Sequence, residues 1–342
     1  MNKKESRQAL LVVGMHRSGT SAVTRVLNLL GADLPETLLA AQSDNPTGYW
    51  ESSELPDLHD AMLASAGLSW DKIFPAPDGW LESEEARELE EKILAFLERN
   101  FSDSRLFVIK DPRLTLLIPI WLRALGRFGA EPRFVIPHRP PEEVAASLRA
   151  RNGFAQNQSF LLWLRYMLDA ERYTRGRPRC FPAYEDILKD WRAAAAAMGN
   201  ALGITWPRDD ASAEIDAFLD PSLRHHAAPK RRPDAPAAFG WVQAAHQWFL
   251  AASADPILDP APLDAVRENF GLLEQLTLSV SSPPTPGMEE DAPGGQAELS
   301  RLTAAVEEMK TTSGITKEAT VIFRQDLNRI EQKAARVEQT VA

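Results

Sequence analysis

Short apolar runs alternate with longer stretches of helical spacing over most of the chain. Three runs are bounded by polar or turn residues and predict buried strands at residues 9–13, 106–109 and 132–137. Apolar positions spaced three and four apart predict helices at residues 22–30, 82–100, 114–127 and 159–174. Strands that alternate with helices in this way predict an α/β fold with a central parallel sheet.

The pattern changes near residue 280. Residues 281–297 are rich in proline, glycine and acidic residues and predict a flexible linker. From Leu302 to Val341, steps of four and three predict a heptad helix, although Gly314 and several polar positions weaken its centre. This helix either joins copies of the chain as a coiled coil, docks on a partner protein, or remains a single, partly ordered helix. We therefore expect a main domain over 1–280, a linker over 281–297 and a helical tail over 298–342.

Composition limits the class of protein. With 342 residues, 44% of them hydrophobic, the chain can bury the core of one large domain. Its net charge of −10 argues against general nucleic-acid binding. The one cysteine, Cys180, excludes a disulfide framework and is predicted to be a buried thiol.

The sequence also bears on location. No apolar run approaches the roughly 18 residues of a membrane-spanning helix, and the short run after Lys3 and Lys4 does not resemble a signal peptide. We expect a cytoplasmic bacterial protein.

The most informative segment runs from Gly14 to Ser21 and reads G-M-H-R-S-G-T-S. It lies between a predicted strand and a predicted helix, which is the setting of a phosphate-binding loop. The glycines match the ends of the nucleotide-triphosphate loop G-x-x-x-x-G-K-[ST], but Thr20 occupies the lysine position and the cation comes earlier, at Arg17. This difference favours an anionic nucleotide other than ATP or GTP.

Two further strand ends carry charged residues. Residues 110–113 read K-D-P-R directly after the second predicted strand. Residues 138–147 follow the third and place Ser147 eight residues after Arg139. Open α/β sheets bind their ligands at the carboxyl ends of the strands, so we expect these groups to meet the loop.

Together these segments resemble the sulfotransferases that use 3′-phosphoadenosine 5′-phosphosulfate (PAPS). Residues 17–21 match the last five positions of the family loop P-[KR]-[ST]-G-T-[ST], with His16 where proline is common. The arginine is typical of the tyrosylprotein and carbohydrate branches, and K-D-P-R is typical of bacterial and Golgi-type members. The resemblance covers roughly residues 8–275 and implies a three-layer fold like that of the P-loop NTPases.

The resemblance also implies which residues bind the donor. The 5′-phosphosulfate is expected at the loop, the 3′-phosphate at Arg139 and Ser147, and Lys110 near the transferring sulfuryl group. A basic loop that many members place over the 3′-phosphate corresponds to Lys230 and Arg231, although the local pattern departs from the cytosolic branch. The loop residues expected to bind the donor are Gly14, His16, Arg17, Ser18, Gly19, Thr20 and Ser21.

Sulfuryl transfer requires a general base for the acceptor. Residues 45–51 read N-P-T-G-Y-W-E, similar to a stretch in bacterial sulfotransferase-like proteins, and the tyrosylprotein branch takes its base from the corresponding region. Glu51 is therefore the first candidate, with Glu54 and His59 as alternatives. A different interpretation is that Glu51 only opens a helix over residues 51–66 and complements its dipole.

The predicted reaction is in-line transfer of the sulfuryl group to an acceptor hydroxyl, with an amine as the alternative acceptor group. Glu51, Lys110 and Arg17 form the expected catalytic set. The resemblance to the carbohydrate branch implies a glycan or glycolipid acceptor, and the scheme requires no metal. Two other hypotheses remain open: a P-loop nucleotide kinase or NTPase, and a non-catalytic nucleotide-binding scaffold that its coil oligomerises.

Overall fold

The computed structural model describes residues 7–42, 45–73, 75–208, 210–219 and 240–281, with side chains described as far as residue 271. The strands are β1 (Arg7–Val12), β2 (Leu106–Lys110), β3 (Ala130–Val135) and β4 (Arg179–Cys180). The helices are α1 (Thr20–Leu29), α2 (Leu55–Ser65), α3 (Glu84–Phe101), α4 (Leu114–Phe128), α5 (Pro141–Asn152), α6 (Gln156–Thr174), α7 (Tyr184–Lys189), α8 (Trp191–Leu202), α9 (Ser212–Phe218), α10 (Gly240–Ala252) and α11 (Ala261–Ser281), with a short 3-10 helix at Trp80–Glu82.

The four described strands form one parallel sheet in the order β2-β1-β3-β4. The register places Leu10 opposite Val108 on one side and Arg133 on the other. Every residue of β2 is buried, as expected for a strand covered on both faces. The predicted parallel sheet is confirmed, and its parallel strands bring their carboxyl ends to the same edge.

Helices cover both faces of the sheet. On one face Leu10, Val12, Val108 and Val135 belong to an apolar cluster that also contains residues of α1, α8 and α9. On the other, the ring of Phe107 stacks on Phe101 of α3 with 4.2 Å between ring centroids, and Phe128 of α4 lies edge-on at 6.2 Å. The predicted three-layer α/β architecture is therefore confirmed.

The region around Glu51 differs from a helix that begins at residue 51. Helix α2 starts at Leu55 and has a proline in its first turn, where no backbone N–H is needed. Trp50 has a φ of 56°, in the left-handed region, which takes the chain off a helical path just before Glu51. Glu51 therefore precedes the helix instead of opening it.

The described residues divide into two compact units. The first contains residues 7–219 together with His246–Asp259, and it holds the whole sheet. The second contains residues 240–245 and 260–281, in which Leu263, Val266 and Phe270 are buried. None of the described helices has both the length and the apolar character needed to cross a membrane.

Several predictions from the sequence fall on other parts of the chain. Lys230 and Arg231 lie outside the described residues, as does the tail over 298–342. Apart from Ser281, which ends α11, the predicted linker over 281–297 also lies outside them.

Thr115, in the first turn of α4, fixes the point where β1 ends. The backbone N–H of Gly14 donates to Thr115 Oγ1 at 2.8 Å, and the Thr115 hydroxyl lies 3.3 Å from the Gly14 carbonyl oxygen. Thr115 is fully buried, so water cannot replace this bond without structural change. The contact joins the start of the glycine loop to the helix behind it.

Replacement of Thr115 by valine should therefore lower the free energy of unfolding by about 1–3 kcal/mol, because the Gly14 N–H loses its buried acceptor. Urea denaturation measures the change. Thr24→Val is the matched control: this threonine is equally buried but donates only to the Thr20 carbonyl oxygen, four residues back along the same helix. Equal losses in the two variants would contradict a special role for Thr115.

Candidate active site

The loop from Gly14 to Ser21 leads from the end of β1 into α1 and has three residues with positive φ: Gly14 at 131°, Arg17 at 68° and Gly19 at 90°. A Cβ atom on Gly19 would lie 2.5 Å from Cδ2 of Tyr184, so only glycine fits there. Arg17 is unusual because a side chain in the left-handed region costs conformational energy. Such strain is common at binding sites.

Gly19 caps α1 without a side-chain hydrogen bond, and the first turn of the helix carries no acidic residue. The hydroxyl of Ser18 is buried and has no hydrogen-bond partner among the described residues. A helix N-terminus presents unpaired N–H groups and the positive end of the helix dipole. The loop therefore offers an anion several donors and no competing carboxylate in the first turn.

Arg17 and Ser147 are brought together although 130 residues separate them. Arg17 Nε donates to Ser147 Oγ at 2.8 Å, and Ser147 lies on α5 with 2% of its surface exposed. Because Ser147 Oγ accepts this bond, its own proton can be donated elsewhere. The predicted loop cation and the predicted phosphate-binding serine thus form one unit.

Arg139 lies between the end of β3 and α5, and it is 9% exposed. Its Nε donates to Glu143 Oε2 at 2.6 Å, and its guanidinium carbon lies 5.4 Å from the centre of the Tyr184 ring. Glu143 is almost completely buried. Glu143 therefore contacts Arg139 directly and orients it.

Lys110, the last residue of β2, and Glu51 form a buried ion pair. Lys110 Nζ donates to Glu51 Oε1 and also to Ser21 Oγ at 3.1 Å, so it bridges the carboxylate and the loop. The side chains of Lys110 and Glu51 are only 1% and 8% exposed. Burial raises the pKa of Glu51, and the charge of Lys110 offsets part of this effect.

Behind this pair, Asp111 is fully buried and holds the turn after β2. His59 Nδ1 lies 3.1 Å from Asp111 Oδ2, and the backbone N–H of Arg113 donates to Asp111 Oδ1 at 2.9 Å. Burial alone would raise the pKa of Asp111, but its bonds to His59 and Arg113 lower it overall. Trp121 Nε1, which can only donate, lies 3.0 Å from His59 Nε2, so His59 carries its proton on Nδ1.

The two alternative bases have other environments. His59 is completely buried and engaged at both ring nitrogens, and it does not line the cavity described below. Glu54 points toward Arg99, whose Nη2 donates to Glu54 Oε2 at 2.6 Å, and nearly half of its side chain is exposed. Of the three candidates only Glu51 faces the cavity.

A cavity of about 140 Å³ lies at the carboxyl edge of the sheet. Gly14, Ser18 and Ser147 do not line it. Among the described residues, no three histidine, cysteine, aspartate or glutamate side chains gather as a metal-binding group. The predicted site residues that line the cavity are His16, Arg17, Gly19, Thr20, Ser21, Glu51, Lys110 and Arg139.

Sequence reasoning missed several residues of the site, of which Arg151 and Thr115 bear most on its chemistry and position. Arg151 lines the cavity, and Thr115 anchors Gly14. Arg151 lies four residues after Ser147 on α5, and residues four apart share one face of a helix. That spacing was a usable signal, whereas no local pattern distinguishes Thr115 from other helical threonines.

Comparison with known proteins gives low-scoring structural neighbours. The sequence matches no family model and no curated protein. Among solved structures, the chain resembles a sulfotransferase domain from the curacin biosynthetic pathway, with a TM-score of 0.41 and 14% identity over 72% of this chain and 98% of that one.

Two further neighbours have similar scores. A sulfotransferase domain from the Synechococcus PCC 7002 olefin synthase gives a TM-score of 0.40 and 18% identity over 74% of this chain and 96% of that one. A sulfotransferase from Mycobacterium tuberculosis H37Rv gives a TM-score of 0.36 and 16% identity over 62% of this chain and 71% of that one. At these values function has to be inferred from the cavity itself.

Replacement of Lys110 by methionine should cost about 3–5 kcal/mol of unfolding free energy at neutral pH, because Glu51 would remain buried without its partner. Chemical denaturation measures the loss. In this variant the pKa of Glu51 should rise further, since the offsetting charge is gone. Protonation removes the buried charge, so the loss should shrink as the pH falls through that raised pKa.

The control is Glu54→Gln, which breaks the exposed pair with Arg99 and should cost no more than about 1 kcal/mol. The double variant Lys110→Met with Glu51→Gln should recover part of the loss, because no charge is then left unpaired. Strictly additive losses would show that the two side chains are not coupled.

Proposed function

We propose that this chain is a PAPS-dependent sulfotransferase that transfers a sulfuryl group to an acceptor hydroxyl, with Glu51 as the general base. One observation carries the proposal: a strained arginine loop, a strand-end lysine and a buried glutamate line the same cavity. A loop with this cation arrangement suits a phosphosulfate, and the glutamate supplies the base that the acceptor requires.

The donor's two anionic ends have two sets of candidate residues, which meet where Arg17 bonds to Ser147. Arg17, Thr20, Ser21 and the first N–H groups of α1 would hold the 5′-phosphosulfate, where the uncapped helix favours negative charge. Arg139 would hold the 3′-phosphate, with Ser147 as a second donor. Glu143 holds Arg139 by its Nε, which sets the plane of the guanidinium group.

Lys110 and Glu51 have different roles in the proposed reaction. When bound, the donor supplies a sulfuryl group activated by its bond to phosphate. Glu51 accepts the proton of the acceptor hydroxyl, while Arg17 and Lys110 stabilise the negative charge that grows on the phosphate side. Lys110 already contacts both Glu51 and Ser21, so a small shift toward the loop would leave Glu51 less neutralised and more basic.

The environment of Asp111 disfavours the main alternative, a magnesium-dependent kinase or NTPase. Such enzymes place a carboxylate where it can hold the metal beside the phosphates. Asp111, at the carboxyl end of β2, is fully buried, is bound to His59 and Arg113, and does not line the cavity. Thr20 also stands where such a loop has its lysine.

The proposal also includes the chemical class of the acceptor. The resemblance to the carbohydrate branch favours a hydroxyl of a glycan or glycolipid. A non-catalytic scaffold would bind the nucleotide without transferring the sulfuryl group, so activity separates these two hypotheses.

Replacement of Glu51 by glutamine should lower the transfer rate by about 10²- to 10⁴-fold, because the acceptor loses its base. Transfer from radiolabelled PAPS to a panel of glycosides and phenols measures the effect. Glu51 acts in its ionised form, so the wild-type rate should fall as the pH is lowered through the pKa of Glu51. Because burial raises this pKa, the midpoint of the fall should lie above about 4.3, the ordinary glutamate value. This acid limb should be absent from Glu51→Gln.

Glu54→Gln provides the control, since Glu54 lies outside the cavity and should keep both the rate and the acid limb. Binding of adenosine 3′,5′-bisphosphate should remain in all three proteins and report that the site is folded. A Glu51→Gln protein with wild-type turnover would overturn the role of the base. Bisphosphate binding without any transfer by the wild type would favour the scaffold.

A further inference from the structure

We propose that Arg151 forms a binding subsite for an anionic group on the acceptor, so that this chain prefers acceptors that carry a carboxylate or similar anion near the reacting hydroxyl. This inference rests on the function proposed above and defines its substrate class.

Three residues of the site follow one another along α5 and the segment before it. Arg139 comes directly before the helix, Ser147 lies near its middle, and Arg151 is in its last turn. At about 1.5 Å per residue, Arg151 lies about 6 Å along the axis from Ser147 and about 15 Å from the start of the helix. Arg139 and Arg151 thus leave the backbone near opposite ends of the helix.

Arg151 belongs to the end of the cavity formed by His16. Both residues line the cavity, and both pack on the ring of Trp70. The guanidinium carbon of Arg151 lies 5.5 Å from the Trp70 ring centre, and the His16 ring lies 4.7 Å from it. The charged group therefore lies beside His16 of the loop.

The surroundings hold this end of the cavity in place. Tyr166 donates its hydroxyl to the Trp70 carbonyl oxygen at 2.8 Å, and Phe154 stacks on the Trp70 ring with 5.6 Å between centroids. Arg151 Nε also donates to Asn152 Oδ1 at 2.7 Å. A guanidinium group fixed against an aromatic ring loses little freedom when it binds an anion.

His16 adds a neutral polar group at the same place. Its ring is 8% exposed, and its Nε2 has no hydrogen-bond partner among the described residues. Burial, helped by the charge of Arg151, lowers the pKa of His16 well below its ordinary value, so the imidazole is neutral. The acceptor would therefore meet one fixed positive charge and one neutral hydrogen-bonding group.

The charges in the cavity also favour an anion on the acceptor. Arg17 and Lys110 serve the phosphosulfate and Arg139 serves the 3′-phosphate in the proposed mechanism, which leaves Arg151 without a role in donor binding. Glu51 is the carboxylate among the lining residues, and Lys110 already pairs with it. Arg151 is therefore the lining cation that an anion on the acceptor would contact beside the reacting hydroxyl.

The experiment uses the full chain saturated with adenosine 3′,5′-bisphosphate and two matched pairs of hydroxyl compounds. Methyl β-D-glucuronide is compared with methyl β-D-glucoside, and 4-hydroxybenzoate with 4-hydroxybenzamide. Ligand-observed NMR gives the dissociation constant of each. The carboxylate of at least one pair should bind about 10- to 100-fold more tightly than its neutral partner, the range expected for a hydrogen bond to a charged group.

This preference should disappear in Arg151→Gln and persist in Arg149→Gln, which removes an exposed arginine from the same helix without touching the cavity. Both variants should bind the bisphosphate as the wild type does. A preference that survives Arg151→Gln, equal binding within both pairs, or no binding of either carboxylate would overturn the subsite.

Two further results separate the inference from the proposed function. Weakened bisphosphate binding in Arg151→Gln would assign the arginine to the donor and overturn the acceptor subsite alone. Failure of the wild type to bind the bisphosphate would overturn the proposed function, and the subsite with it.

Discussion

The buried ion pair between Lys110 and Glu51 is the contact on which the cavity depends. It joins the end of β2 to a segment that is neither strand nor helix, and Lys110 extends it to Ser21 of the loop. A buried charge pair has little net stabilising effect, but loss of one partner is costly. The pair therefore fixes how the three segments meet, and it keeps a lysine and a glutamate where water has little access.

The fold around this pair explains how a chain with a net charge of −10 can offer an anion site. Parallel pairing of β1 with β2 and β3 brings their carboxyl ends to one edge, and α1 adds its N-terminus there. Arg17, Lys110, Arg139 and Arg151 line the cavity there, with Glu51 as the acidic lining residue. Local charge, and not the total, decides what such a cavity attracts.

Much of this arrangement could be predicted because its signals are local. The apolar runs, the glycine spacing of the loop and the eight-residue step from Arg139 to Ser147 are all visible in the sequence. The individual bonds and ring contacts between distant segments could not be predicted. The bond from Arg17 to Ser147, and the ring of Tyr184 that forces glycine at position 19, depend on packing that no single segment encodes. The left-handed backbone of Trp50, which turns the chain before Glu51, likewise left no clear sign in the sequence.

The central claim is that the cavity recognises a nucleotide with a 3′-phosphate. Calorimetric titration of the full chain with adenosine 3′,5′-bisphosphate, and with ADP in parallel, both without magnesium, tests it most directly. We expect the bisphosphate to bind at least about 10-fold more tightly than ADP, since Arg139 adds a hydrogen bond to a charged phosphate. Equal or tighter binding of ADP, or binding that requires magnesium, would contradict it.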